Sequence, residues 1–283
     1  MIFDIAIIGA GIIGAACAYR LSQEGFSVAV IEENAPASGT TSAGMGHIVV
    51  MDDNEAEFSL TNYSQKLWNE FAEKLPKSAE YEHCGTIWVA SDDEEMKEVF
   101  RKKDFYEKRG VETEILDEKS LREAEPNLRE GLLGGLLVKS DSVVYQPCAT
   151  QFLLENSKAK VFIGKRAVEI TENGVRLEDS TIIEAKKIII AAGIWSNELL
   201  KDIKTRKKKG HLVITERYPN FVKHQLVELG YLKSAHASES DSVAFNVQPR
   251  ATEQVLIGSS RQFDVDDKAI DYNLLRQMTN RAF

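Results

Sequence analysis

The chain has 283 residues, 43% hydrophobic and 28% charged, a composition that excludes a disordered or low-complexity protein and gives length enough for two domains with cores of their own. A formal net charge of −9 argues against general affinity for nucleic acid or anionic lipid. Three cysteines, Cys17, Cys84 and Cys148, lack metal-ligand or disulfide-framework spacing and fit a reducing compartment. No apolar run reaches membrane-spanning length, so the expectation is a cytoplasmic protein without stable membrane insertion.

The first element is an apolar strand, Phe3 to Ile8, followed by the turn Gly9-Ala10-Gly11-Ile12-Ile13-Gly14. Gly9 lets the chain turn out of the strand, the bare Gly11 lets a diphosphate approach the backbone, and Gly14 lets the next helix lie close on the sheet. That helix presents unpaired N–H groups and positive dipole potential at its start. Ala15, Ala18, Leu21 and Gly25 suit a helix that packs flat and turns back. A second strand, Val28 to Ile31, ends at Glu32 with Glu33 beside it, where a carboxylate accepts from both hydroxyls of an adenosine ribose and repels a 2′-phosphate. A glycine triplet alone arises by chance in glycine-rich loops; the strand–helix–strand order makes this one a dinucleotide site.

Ser38 to Gly46 is a run of small residues, read as an irregular loop that wraps a ligand closely. Helical periodicity follows over 55–75, then a strand over Thr86–Ala90 and a charged helix over 92–109. Gly134 to Tyr145 reads as short strands around Asp141-Ser142, and Pro147 opens a helix. Closely spaced strands follow at 160–163, 168–170, 175–177 and 181–183, with a turn at Asn173-Gly174. The run 186–193 is a buried strand that returns to the first sheet. Residues 199–243 leave again, carrying the basic run Lys204-Thr205-Arg206-Lys207-Lys208-Lys209, read as a solvated loop with a docking patch as the alternative. Val243 to Ser260 form a hairpin around 249–253, and a last helix covers about 269–281.

Three motifs in this order resemble the FAD-dependent amine and amino-acid oxidoreductases related to D-amino acid oxidase, glycine oxidase and sarcosine oxidase. They are the fingerprint ending at Glu32, the loop Gly39-Thr40-Thr41-Ser42-Ala43-Gly44, and Ala191-Ala192-Gly193-Ile194-Trp195-Ser196. The segment from Gly44 to Asp52 looks most similar to bacterial D-proline or hydroxy-D-proline dehydrogenases and to flavin subunits of opine and cyanide-forming amine dehydrogenases. The resemblance implies an α/β fold: a Rossmann-type FAD-binding domain (1–46, 140–198 and 244–283) with a discontinuous α+β substrate domain (47–139 and 199–243). It implies FAD held by Gly9, Ala10, Gly11, Ile12, Ile13, Gly14, Glu32 and Glu33. Thr40, Thr41 and Ser42 would serve the phosphates or ribityl chain, Gly44, Met45, Gly46 and His47 the ring edge, Val168 the adenine, and Ala192, Gly193 and Trp195 the middle of the cofactor.

The implied reaction removes a hydride from the carbon of a small amino acid or secondary amine to flavin N5, after which an imine is hydrolysed. An electron-accepting partner subunit or a homo-oligomer belongs to the same expectation. His47 could take a proton from the amine or serve as a structural histidine. His211 falls near a family position at the ring face, and Arg250 could pair bidentately with a substrate carboxylate or brace its hairpin. His83, His224 and His236 are expected at the surface or in packing. Relatives continue past the last helix through a Gly-x-Arg-Pro-like segment. Its absence from this sequence raises two further readings, a fragment and a partner-completed flavoprotein without catalysis of its own. An NAD-dependent dehydrogenase shares the fingerprint, and the small-residue loop argues against it.

Overall fold

The computed structural model describes residues 2–230, 241–265 and 267–282. The first half of the chain contains β1 (Phe3–Ile8), α1 (Ile12–Gln23), β2 (Val28–Glu32), β3 (His47–Ile48), α2 (Glu55–Ala72), β4 (Thr86–Ala90), α3 (Asp93–Glu107), β5 (Thr113–Asp117), α4 (Glu118–Ala124), β6 (Gly134–Val138) and β7 (Ser142–Val143). Then come α5 (Gln146–Glu155), β8 (Lys160–Ile163), β9 (Ala167–Thr171), β10 (Gly174–Leu177), β11 (Ile182–Ile190) and α6 (Ser196–Leu199). The remainder is β12 (Lys208–Lys209), β13 (Val213–Arg217), β14 (Gln225–Glu228), β15 (Ser242–Pro249), β16 (Gln254–Phe263) and the final helix α7 (Tyr272–Ala282).

The chain divides into two compact units, each assembled from three separate stretches. The first comprises Met1–Gly44, Leu75–Ala79 and Tyr145–Thr205. Its sheet runs β8-β2-β1-β11-β10-β9, with β8, β2, β1 and β11 parallel and the β9–β10–β11 meander antiparallel. Parallel neighbours need a crossover, which α1 supplies between β1 and β2. Ala6, Ile8, Ala29 and Ile31 share a core with Val175, Leu177 and Ile183, while Ala15 and Ala18 of α1 are fully buried. The sequence suggests two strands at 181–183 and 186–193, but they form the single strand β11. Ile183 and Ala185 fill the core while Glu184 and Lys186 project outward, so the charges do not interrupt it.

The second unit comprises Met45–Lys74, Glu80–Val144 and Arg206–Phe283. Its eight-stranded sheet runs β12-β16-β15-β14-β4-β6-β5, with β13 also paired to β16. Buried β4 lies between parallel β14 and antiparallel β6. On one face Trp88, Val138 and Val227 join Val99 and Tyr106 of α3; on the other Ile87, Val89 and Val247 join Leu121 of α4. Asn54 caps α2 through Glu57 N, and Asp92 caps α3 through Glu95 N, as their residue types favour.

Residues 244–283, expected beside the dinucleotide strands, instead supply β15, β16 and α7 to this second unit. The reason is pairing at long range: Leu226↔Val247 joins β15 to β14, and local hydrophobic pattern does not specify a partner strand. The segment 113–124, which the sequence left unassigned, forms β5 and α4. The loop 38–46 is not wholly irregular, because Thr40–Ala43 makes one turn of 3₁₀ helix. Among the described residues no helix is long and apolar enough to cross a membrane.

Candidate functional site

In the first unit the glycine turn has the geometry its spacing requires. Gly9 adopts φ +103°, a region hostile to other residues, and a Cβ there would overlap the Ala191 carbonyl. A Cβ on Gly14 would overlap the carbonyl oxygen of Gly9, so helix and strand meet in backbone contact. Gly11 begins α1 without a capping side chain, and the first helical turn holds no acidic residue. The positive end of the helix is therefore available to an anion.

Glu32 plays two parts in this turn: Oε2 accepts from Ala10 N (2.7 Å) and Oε1 from Asn34 N (2.8 Å). A carboxylate has about four acceptor directions, so both oxygens keep capacity for ribose hydroxyls. Thr41 Oγ1 accepts from Ile12 N at 3.1 Å, and Ser42 Oγ donates to Gly39 O at 2.9 Å. Thr40 is exposed in the same turn. A Cβ on Gly39 would touch the Trp195 ring at 3.6 Å, and one on Gly44 the Gln146 amide at 2.9 Å. Ala192 and Gly193 follow β11, whose exit is tied by Ala191 N to Ile8 O. Val168 is the residue skipped between paired Ala167 and Glu169 on β9. Glu33 lies 3.8 Å from Arg166, whose guanidinium also reaches Glu198. Ile13 is exposed, whereas Ala10 is buried. A turn that excludes side chains, a helix end without its own counter-charge and a carboxylate one strand away fit the diphosphate and ribose of FAD.

In the second unit the segment 45–51 is tethered along its length. Met45 O accepts from Gln248 Nε2 at 2.7 Å, and the Met45 side chain packs where Gly258 has no Cβ. Gly46 O accepts from Val144 N at 2.9 Å, and His47 and Ile48 pair with Val143 and Ser142. Asp141 Oδ1 accepts from Val50 N (3.2 Å) and from Gln65 Nε2 (3.0 Å), and Thr61 Oγ1 accepts from Met51 N at 3.1 Å. Next along the chain, Asp52 is clasped by Arg101 and by buried Lys102, each at 2.5 Å, and the Lys102 ammonium stands 4.0 Å over the Trp88 ring. Desolvation pushes the Asp52 carboxyl upward, but Lys102 and Arg101 together hold it below its ordinary value.

Two groups beside this segment have displaced proton affinities. Burial lowers the His47 imidazole to about 4, so it is neutral at physiological pH. Burial also raises the Asp141 carboxyl to about 7, against the pull of its hydrogen-bond donors and Lys102.

The other sequence candidates are engaged within the fold. His211 is buried, with Nδ1 2.8 Å from Ser260 Oγ and Nε2 accepting from Asp271 N at 3.0 Å; both ring nitrogens are committed. Arg250 turns its bidentate fork on Glu80, and its backbone closes the hairpin to Gln254 and Glu253, which is the bracing alternative. His83 is exposed and meets Ser142 Oγ at 2.9 Å. His224 meets the buried carboxylate of Glu125 at 2.8 Å, a pairing 99 positions apart that no local signal announces. His236 lies outside the described residues. The basic run is an exposed loop from Lys204 to Arg206 and enters β12 at Lys208–Lys209; Arg206 pairs with Asp264 and Lys209 with Asp267. Gln248, Gln65 and Asp141 were missed as holders of the His47 strand, because their partners lie 203, 17 and 91 positions away.

Together the two units define a dinucleotide-dependent α/β oxidoreductase fold with a discontinuous second unit. Residues 4–283 match the family model described as FAD dependent oxidoreductase (DAO), and the chain belongs to that family. Its cofactor is a flavin, which removes the NAD-dependent alternative. Among curated proteins the chain is similar to the glycerol 3-phosphate dehydrogenase of Caloramator mitchellensis, 25% identical over 214 residues that cover 72% of this chain and 45% of that protein. It is also similar to the glycine oxidase of Geobacillus kaustophilus, 26% identical over 215 residues covering 70% and 56%. The crystal structure of glycine oxidase from Bacillus cereus shares its fold at TM-score 0.87 and 23% identity, over 99% of this chain and 77% of that one. The chain spans about half the length of the curated relatives it matches.

Proposed function

We propose that this protein oxidises the C–N bond of a small amino acid or secondary amine with FAD. Gly9 to Gly14 hold the diphosphate, Glu32 the ribose, Thr41 and Ser42 the phosphates or ribityl chain, Val168 the adenine, and Gly44 to His47 the ring end. FAD, when bound, supplies the hydride acceptor that no side chain offers. The chain's contribution is to orient the substrate carbon, exclude water and favour the uncharged amine. Loss of hydride from that carbon leaves a C=N bond that water hydrolyses.

The relatives include enzymes named for glycine and for glycerol 3-phosphate, and His47 is the observation that favours the amine. An alcohol must lose its hydroxyl proton to a base, and an imidazole held near 4 is a weak one for that task. An amine needs only to be neutral, and the desolvation that depresses His47 favours the neutral amine as well.

Anaerobic mixing of the FAD-reconstituted full chain with glycine, sarcosine, D-proline and glycerol 3-phosphate tests this reading. Bleaching of the visible flavin band by one of the amino acids is expected, and admitting oxygen afterwards reads the electron acceptor. Bleaching by glycerol 3-phosphate alone overturns the amine assignment.

A further inference from the structure

Gln248 is almost wholly buried on β15. Its Nε2 donates to Met45 O at 2.7 Å, and that bond fixes which way round the amide lies. Turning the amide over would set two acceptors face to face, so the oxygen points away from Met45. That oxygen is buried and has no hydrogen-bond partner among the described residues, and the same is true of His47 Nε2. As a hydrogen-bonding neighbour, Gln248 also raises the proton affinity of the His47 ring against burial.

Two buried, unsatisfied atoms on neighbouring side chains can satisfy each other if one carries a proton. An amide oxygen cannot donate, so the proton must sit on the histidine. We propose that Gln248 is a positioning residue: one end of its amide holds the Met45 carbonyl, the other accepts from His47 Nε2–H, and the ring is thereby presented with Nδ1 as its unprotonated nitrogen. Among the described residues, burial lowers and Gln248 raises the proton affinity of His47. Of the carboxylates along this stretch or bonded to it, Asp52 is committed to Arg101 and Lys102 and Asp141 to Val50 and Gln65. What Nδ1 does in turnover rests on the amine-oxidation reading; the tautomer itself does not.

Nitrogen NMR of the full chain labelled with ¹⁵N-histidine tests the tautomer, with the His47 signals identified by their loss in His47→Gln. Wild type is expected to show His47 neutral and protonated at Nε2 throughout the neutral range. His211 is an internal reference of the opposite kind, because its Nε2 accepts from Asp271 N and its proton must sit on Nδ1. In Gln248→Leu the Nε2–H preference of His47 is expected to fall at least fivefold toward a mixture. In Gln248→Glu its proton affinity should rise at least tenfold, the direction a facing carboxylate imposes. An Nδ1–H tautomer in wild type overturns the proposal, and so does an unchanged tautomer in a folded Gln248→Leu. Should both variants fail to fold, the wild-type spectrum still decides. If instead no amine reduces the flavin while the His47 signals are as expected, the function is wrong and the role of Gln248 stands.

Discussion

At position 14 one methyl group decides whether α1 can lie on its sheet. A Cβ would overlap the carbonyl of Gly9, and backbone has little room to yield in a packed turn. Gly14→Ala should lose about 1–3 kcal/mol of stability, the range for overpacking, read as a lower urea midpoint; a neutral result contradicts the packing described. Asp141 and His47 make opposite contributions with pH. The fold raises Asp141 to about 7 from 3.8, so only the unfolded chain releases that proton between these values, and the stabilisation present at low pH is lost as pH rises toward 7. His47, lowered to about 4 from 6.5, contributes stability above 6.5 that is lost as pH falls through 4. Relative to Asp141→Asn, wild type should therefore lose on the order of 3–5 kcal/mol between pH 4 and 7, whereas relative to His47→Gln it should gain over pH 4 to 6.5. Urea melts across that range check both signs. The glycines and Glu32 were legible in sequence because their partners lie within about one supersecondary unit; Asp141 read only as a turn residue, since nothing near it shows that Val50 and Gln65 will arrive.

The β15–β16 hairpin shows the same limit for an element. Its existence was legible from the turn around 249–253, but its sheet was not. Arg250 could be read from sequence as a substrate clamp or a brace, and the structure commits it to Glu80, with side-chain exposures of 13% and 11%. Removing one partner leaves the other charge buried, so Arg250→Met and Glu80→Gln should each cost about 3–5 kcal/mol. The double variant should lose much less than their sum. A full double-mutant cycle measures this, and strict additivity would mean the pair does not brace the turn. The nine-residue β11 was read as two strands, but Glu184 and Lys186 lie on its outer row, and in an amphipathic strand such residues do not mark an end.

Over the whole molecule, both units are interleaved in sequence, which is why the dinucleotide unit was legible as motifs while the second unit appeared only as leftover α and β pieces. The three motifs sit on strand ends and turns of one sheet, where local sequence dictates geometry. The eight-stranded sheet depends on pairings such as Gln225↔Thr86, whose register no short window contains. If the first unit holds FAD, saturation at one hundred times the dissociation constant should add about 2.7 kcal/mol to its stability, seen as a higher melting temperature for wild type and no rise for a variant that cannot bind.

Titrating the full chain with FAD, following quenching of flavin fluorescence for wild type and for Glu32→Ala, addresses the cradle at its source. Wild type should take up one FAD per chain, and the variant should bind at least tenfold more weakly, as expected when hydrogen bonds worth about 1.5–3 kcal/mol are lost from a charged acceptor. Absence of saturable uptake by wild type, or equal affinity in the folded variant, would contradict the account.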